Sequence, residues 1–96
     1  MDKVSDLIEG ARLSGRYTVD VGESYCSMGN QIRFIDRSGR RLCPLQVAKV
    51  ERGEDPGSAT SAAVDCGLPI VLATKVIKRA DRYADDCITF LREQGY

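Results

Sequence analysis

The side chains in this sequence with chemistry to offer are four cysteines, a knot of aspartates and two runs of basic residues. The cysteines stand at Cys26, Cys43, Cys66 and Cys87. Structural zinc sites bring their ligands in close pairs on turns, whereas these are widely spaced and the chain has no histidine to complete a set. Two disulfides would need an oxidising compartment, for which nothing in the sequence argues. The cysteines are therefore expected to be reduced and to serve mainly as small buried apolar groups, with no metal. Cys43 lies near Arg40 and Arg41, and a neighbouring cation is what makes a thiol nucleophilic, so it is the one faint candidate for covalent chemistry. Asp81 and Asp85 stand one helical turn apart beside Asp86, a spacing that suits a cation but suits a helix cap or a solvated face better. Ser24, Ser27 and Ser38 sit in turn-like contexts, where serine bonds its own backbone. Without histidine there is no imidazole base or triad, and Gly53, Gly57 and Gly67 punctuate loops instead of forming a phosphate cradle. The expectation is a protein that is not an enzyme, with no catalytic residues and no cofactor.

The basic residues are the more informative set. Fourteen basic and fourteen acidic side chains cancel, yet they are segregated along the chain. Arg33, Arg37, Arg40 and Arg41 crowd one short stretch; Lys75, Lys78, Arg79 and Arg82 fall together in the C-terminal region, on the side of a helix opposite its apolar seam. The acids gather in the N-terminal helix (Asp2, Asp6, Glu9) and in a central loop (Glu51, Glu54, Asp55). These eight cations are the candidate partner-binding residues, a docking surface for an acidic partner. A solvated face is the plain alternative for the second group, while four arginines within nine residues of a loop tip exceed what solubility requires.

Those residues must be positioned by local elements. Val4, Leu7, Ile8 and Ala11 follow the i, i+3, i+4, i+7 rule and predict a helix over 2–14, capped by Asp2 and stopped by Gly15. Tyr17, Val19 and Val21 then alternate with polar residues, predicting a strand over 16–21, and Gly22 ends the clean alternation. A turn at Met28-Gly29-Asn30 leads to a second strand over 31–36, with Ile32 and Phe34 on one face and Arg33 and Ile35 on the other. Asp36-Arg37-Ser38-Gly39 fits a hairpin loop, and 40–43 a short returning strand, completing an antiparallel β-meander. Residues 44–51 read as strand or helix, with Pro44 at a first helical position tipping the reading to helix. Asp55-Pro56 opens a helix that runs to Cys66 with Ala59, Ala62 and Ala63 on one face. Pro69 opens the next. Ala73, Ile77, Ala80, Ala84, Cys87 and Leu91 recur at steps of four and three, flanked by Val76, Tyr83 and Phe90; this is one long helix or two broken near Asp81. The fold class expected is α+β: an N-terminal helix, a small antiparallel β-meander and C-terminal helices in one domain. The expected core includes Val4, Leu7, Ile8, Tyr17, Val19, Ile32, Phe34, Ile77, Tyr83 and Leu91.

The stretch from Asp55 to Arg82 also fits a helix-turn-helix, because Ala63 and Gly67 have the spacing seen around that turn. Against it, the second helix would begin Pro69-Ile70-Val71-Leu72, where base readout needs polar side chains, and the chain lacks the basic excess that phosphate binding favours. Neither a signal peptide, nor a lipidation motif, nor an apolar run of membrane-spanning length is visible. A cytoplasmic, soluble protein with no membrane association is expected.

Tyr25-Cys26, Cys43-Pro44-Leu45, the alanine-rich segment ending Gly67-Leu68-Pro69, Ile77 through Ala80-Asp81, and Leu91-Arg92-Glu93-Gln94-Gly95 resemble a loose class of small uncharacterised bacterial and phage proteins. The resemblance implies a helix beginning at Cys43-Pro44-Leu45 and a phage or mobile-element setting, and it implies no activity. Small proteins of that setting often bind a host enzyme and block or redirect it. The functional expectation is thus a protein-binding module acting on a host protein, such as a nuclease or an anti-phage defence complex. A helix-turn-helix DNA regulator is the alternative.

Overall fold

The computed structural model describes residues 2–23, 30–79 and 84–96, with side chains described over 2–19, 34–76 and 86–96. In chain order the elements are α1 (Val4–Leu13), β1 (Thr18–Glu23), β2 (Asn30–Ile35), β3 (Arg41–Leu42), α2 (Pro44–Glu51), α3 (Ala59–Asp65), α4 (Ile70–Arg79) and α5 (Ala84–Glu93). This is the α+β architecture that the periodicities predict: one N-terminal helix, a three-stranded antiparallel sheet in the order β1-β2-β3, then helices.

α1 buries Val4, Ile8 and Ala11, three of the four residues its spacing selects, against α2 and α5, and the fourth, Leu7, is partly buried against the core. Its start differs from expectation. The N-cap is Lys3, not Asp2, and no side chain caps it. Instead Ser5 N donates to Tyr96 O at 3.0 Å, so the far end of the described chain supplies an acceptor to an otherwise orphaned amide. Ser14 Oγ closes the last turn on Ala11 O at 2.7 Å, and Gly15 takes φ 77°, which reverses the chain where a side chain would be strained.

β1 pairs with β2 from Thr18↔Ile35 to Glu23↔Asn30, and Phe34↔Leu42 and Ile35↔Arg41 join β2 to β3. β1 starts and ends two residues later than the alternation predicts, running on through Gly22, which pairs with Gln31. Tyr17 falls just before the strand, yet it joins the core through an edge-on contact with Phe34, ring centroids 5.8 Å apart. Val19 stands opposite the fully buried Phe34 but is 40% exposed, which corrects its assignment to the core. The reason is topological: β1 is an edge strand, and α2 packs over β2 and β3. The expected turn at 28–30 and the core assignments of Ile32, Ile77 and Tyr83 fall outside the described residues or side chains.

The ambiguous segment 44–51 is helix. Cys43 is its N-cap, Pro44 its first residue, and Gln46 Oε1 reaches back to accept from Cys43 N at 2.9 Å. Leu45, Val47 and Ala48 are buried at the centre of the core. α3 begins later than Asp55-Pro56 suggests. Ser58 is the N-cap: its hydroxyl accepts from Ser61 N at 3.1 Å while Ser61 Oγ accepts from Ser58 N at 3.0 Å. That reciprocal pair outcompetes Asp55, whose carboxylate accepts instead from Gly57 N, and Gly57 at φ 62° breaks any earlier helical run. α3 ends in a Schellman arrangement, with Gly67 N on Val64 O and Leu68 N on Ala63 O, and Gly67 at φ 78°. The C-terminal seam is split between two helices, α4 and α5, which pack on one another. Ala73, Val76, Cys87, Ile88 and Leu91 are buried between them and the rest of the core. Among the described residues no helix is long and apolar enough to cross a membrane.

Candidate docking surface

The β2–β3 tip is built around one carboxylate. Asp36 Oδ1 accepts from Ser38 N at 2.9 Å, Ser38 Oγ at 2.6 Å and Arg40 N at 2.9 Å, and Oδ2 accepts from Arg40 Nε at 3.3 Å. The backbone closes beneath it through Asp36 N to Arg40 O and Gly39 N to Asp36 O, each 3.0 Å, with Gly39 at φ 87°. The Ser38 hydroxyl and then the Arg40 amide hold the Asp36 carboxyl below its ordinary range, so it stays ionised as the tip's anchor. Two arginines project from this fixed loop, Arg37 in the turn and Arg41 on β3; both are exposed, and neither forms an ion pair with a described residue.

The other cations with described ion pairs are already committed. Arg16 binds Glu51 at 2.6 Å, and that carboxylate also accepts from Tyr17 Oη at 3.4 Å. The Glu51 contact raises the Arg16 pKa, and burial followed by the Glu51 charge raises that of Tyr17. Arg52 bonds Glu54 at 2.6 Å and Asp65 O at 3.0 Å. Lys49, nearly buried, reaches Asp65, and Arg92 ties α5 to Glu9 and Asp6 of α1. Each of these guanidinium or ammonium groups has an acid of its own.

Of the eight sequence-selected cations, the structure brings Arg37 and Arg41 to one exposed tip. Arg40 is spent on Asp36 and acts within the loop. Arg33 stands opposite Asp20 in the register, and its side chain, like those of Lys78 and Arg79 on α4 and all of Arg82, lies outside the described set. Lys75 is exposed on α4, which packs on α3 and α5, whereas the hairpin is backed by α2; it belongs to a different part of the surface.

The cysteines behave as packing groups where they are described. Cys66 is buried with Sγ 3.8 Å from Leu45 O, and burial pushes its thiol up. Cys87 is fully buried and its thiol is pushed up to about 12, by burial first and then by the nearby Cys43. Both are poor nucleophiles at neutral pH. Cys43 is half-buried at the N-cap of α2; of the two arginines that made it a candidate, Arg40 is turned to Asp36 and Arg41 is exposed on β3. Among the described residues no three His, Cys, Asp or Glu side chains converge as metal ligands; Asp81 and Asp85 lie outside the described side chains.

One feature escaped the sequence reading. Val64 at the end of α3 is 60% exposed, and Ile70 and Val71 at the start of α4 are 78% and 69% exposed. The signal was present, since a run of three apolar residues at a helix start cannot all face one core. Val71 also lines a groove of about 390 Å³ with Pro69, Leu72, Lys75, Phe90 and Tyr96.

The chain matches no protein-family model, no curated protein and no solved structure.

Proposed function

We propose that this chain is a non-enzymatic protein-binding module that engages an acidic partner through the β2–β3 tip. The observation that carries the reading is the surplus of charge at a rigid loop: Arg37 and Arg41 are exposed and form no ion pair with a described residue, while Asp36 fixes the loop and the described cations Arg16, Arg40, Lys49, Arg52 and Arg92 each have an acid. A preorganised tip loses little conformational freedom on docking, and exposed arginines give bidentate recognition of carboxylates. A phage or mobile-element accessory protein that inhibits or redirects a bacterial host enzyme in the cytoplasm, a nuclease or a defence complex for instance, fits such a module.

The second reading, a helix-turn-helix DNA regulator, rests on α3 and α4 and the four-residue connection between them. The exposed Ile70 and Val71 weigh against it, because they occupy positions from which a recognition helix addresses bases. Protein contact is the commoner use of exposed apolar groups on a helix end.

The test is affinity capture of the tagged chain from bacterial lysate, with and without nuclease, alongside the variant Arg37→Glu/Arg41→Glu. A stoichiometric protein that survives nuclease and is lost with the variant supports the reading. Capture equal for both proteins, or dependent on nucleic acid, overturns it.

A further inference from the structure

Beneath the tip lies a shallow groove of about 350 Å³ lined by Arg16, Tyr17, Asp36, Arg37, Ser38 and Val50. Its one acid, Asp36, is consumed internally by Ser38 and Arg40, while Arg16 is held by Glu51. Arg37 is left as the surplus charge on the rim. The rest of the lining is largely carbon: the Tyr17 ring, packed edge-on against Phe34, and Val50 at the C-terminal turn of α2. Tyr17 is held by its perpendicular contact with Phe34 and by its hydroxyl on Glu51.

We propose that this groove seats an acidic peptide segment of the partner, with one carboxylate on Arg37 and a neighbouring apolar side chain against Tyr17 and Val50. This deepens the docking reading above and rests on it. Charge complementarity selects the occupant: the Arg37 guanidinium, without an ion pair among the described residues, beside an apolar floor suits a carboxylate next to a hydrophobic residue. A nucleic-acid backbone is a poorer fit, since its phosphates bring no apolar side chain to lie against Tyr17 and Val50.

The test is an NMR titration of the ¹⁵N-labelled full chain with an acetylated, amidated Asp-Glu-Leu-Asp-Glu peptide. Its amide analogue, Asn-Gln-Leu-Asn-Gln, and a short DNA duplex are run in parallel. Saturable shifts are expected at the amides of Arg16, Tyr17, Arg37, Ser38 and Val50. Binding should weaken at least about tenfold in Arg37→Glu, as loss of a charge-assisted pair requires, and in Val50→Ala by a smaller factor. No saturable shifts at those amides, equal binding of the amide analogue, or tighter binding of the duplex at the same amides would overturn the proposal. If the peptide fails while lysate capture still depends on Arg37 and Arg41, the groove assignment falls and the docking reading stands. If capture is insensitive to those arginines, the docking reading falls first.

Discussion

Replacing Phe34 with leucine tests how the core holds the candidate surface. Phe34 is fully buried at the centre of the sheet, opposite Val19 and Leu42, and it carries the edge-on contact to Tyr17. Phe34→Leu removes three carbons' worth of burial, about 2.4 kcal/mol at about 0.8 kcal/mol per methylene. The lost ring contact adds about 0.5–1.5 kcal/mol. The sum, about 3–4 kcal/mol, compares with the roughly 5–14 kcal/mol expected for a chain of this length, so the variant folds but is measurably weakened. Urea unfolding should show a lower midpoint at unchanged slope. A double-mutant cycle with Tyr17→Leu isolates the ring–ring term, and a coupling of about 0.5–1.5 kcal/mol is expected. Additivity within about 0.3 kcal/mol would refute the claim that Phe34 braces Tyr17, and with it the rigidity of the groove wall.

Other consequences follow from the same contacts. Ser58→Ala removes the α3 cap and should cost about 1 kcal/mol in urea unfolding; no change would show that Ser61 caps α3 unaided. Gly57→Ala should destabilise further, because φ is 62° there and an added Cβ would sit 2.6 Å from Ser61 Oγ; a neutral result would mean the loop relaxes freely. The Cys87 thiol, raised to about 12 by burial, keeps its proton in the fold when the unfolded chain would lose it. Its contribution is complete below the ordinary thiol range and is lost as pH rises from about 9 to about 12, with a slope of about 1.4 kcal/mol per pH unit. Alkaline unfolding curves of the wild type and Cys87→Ala should therefore diverge in slope over that window; parallel curves would contradict the burial argument. Reversing Arg40 should damage the tip itself, since a glutamate there would face Asp36. Hairpin amide exchange should accelerate in Arg40→Glu and stay unchanged in Arg37→Glu.

Much of the architecture was legible because local signals agreed with one another. The α1 stripe, the alternation around Phe34 and the glycines at 15, 39 and 67 each point to the element found. Errors arose where two local signals competed. Asp55-Pro56 is a sound helix start in isolation, but the Ser58–Ser61 pair is a better one three residues on. Asp2 is a sound cap until the chain brings Tyr96 to the α1 amides, a contact across the whole sequence that no window can contain. Val19 has the right period for the core, and only the sheet order makes its strand an edge. The candidate surface was legible as a cluster of arginines. Which of them are free was not, because Arg40 pairs within the turn and Arg16 reaches Glu51 on a distant helix.

The most direct test of partner recognition by the tip is the affinity of the captured partner for the wild type, Arg37→Glu/Arg41→Glu and Arg37→Lys/Arg41→Lys at low and moderate salt. The charge reversal should weaken binding by about a hundredfold or more at low salt, the lysine pair should recover part of that loss, and the differences should shrink as salt rises. Equal affinities across the three proteins would contradict the assignment of the tip as the interface.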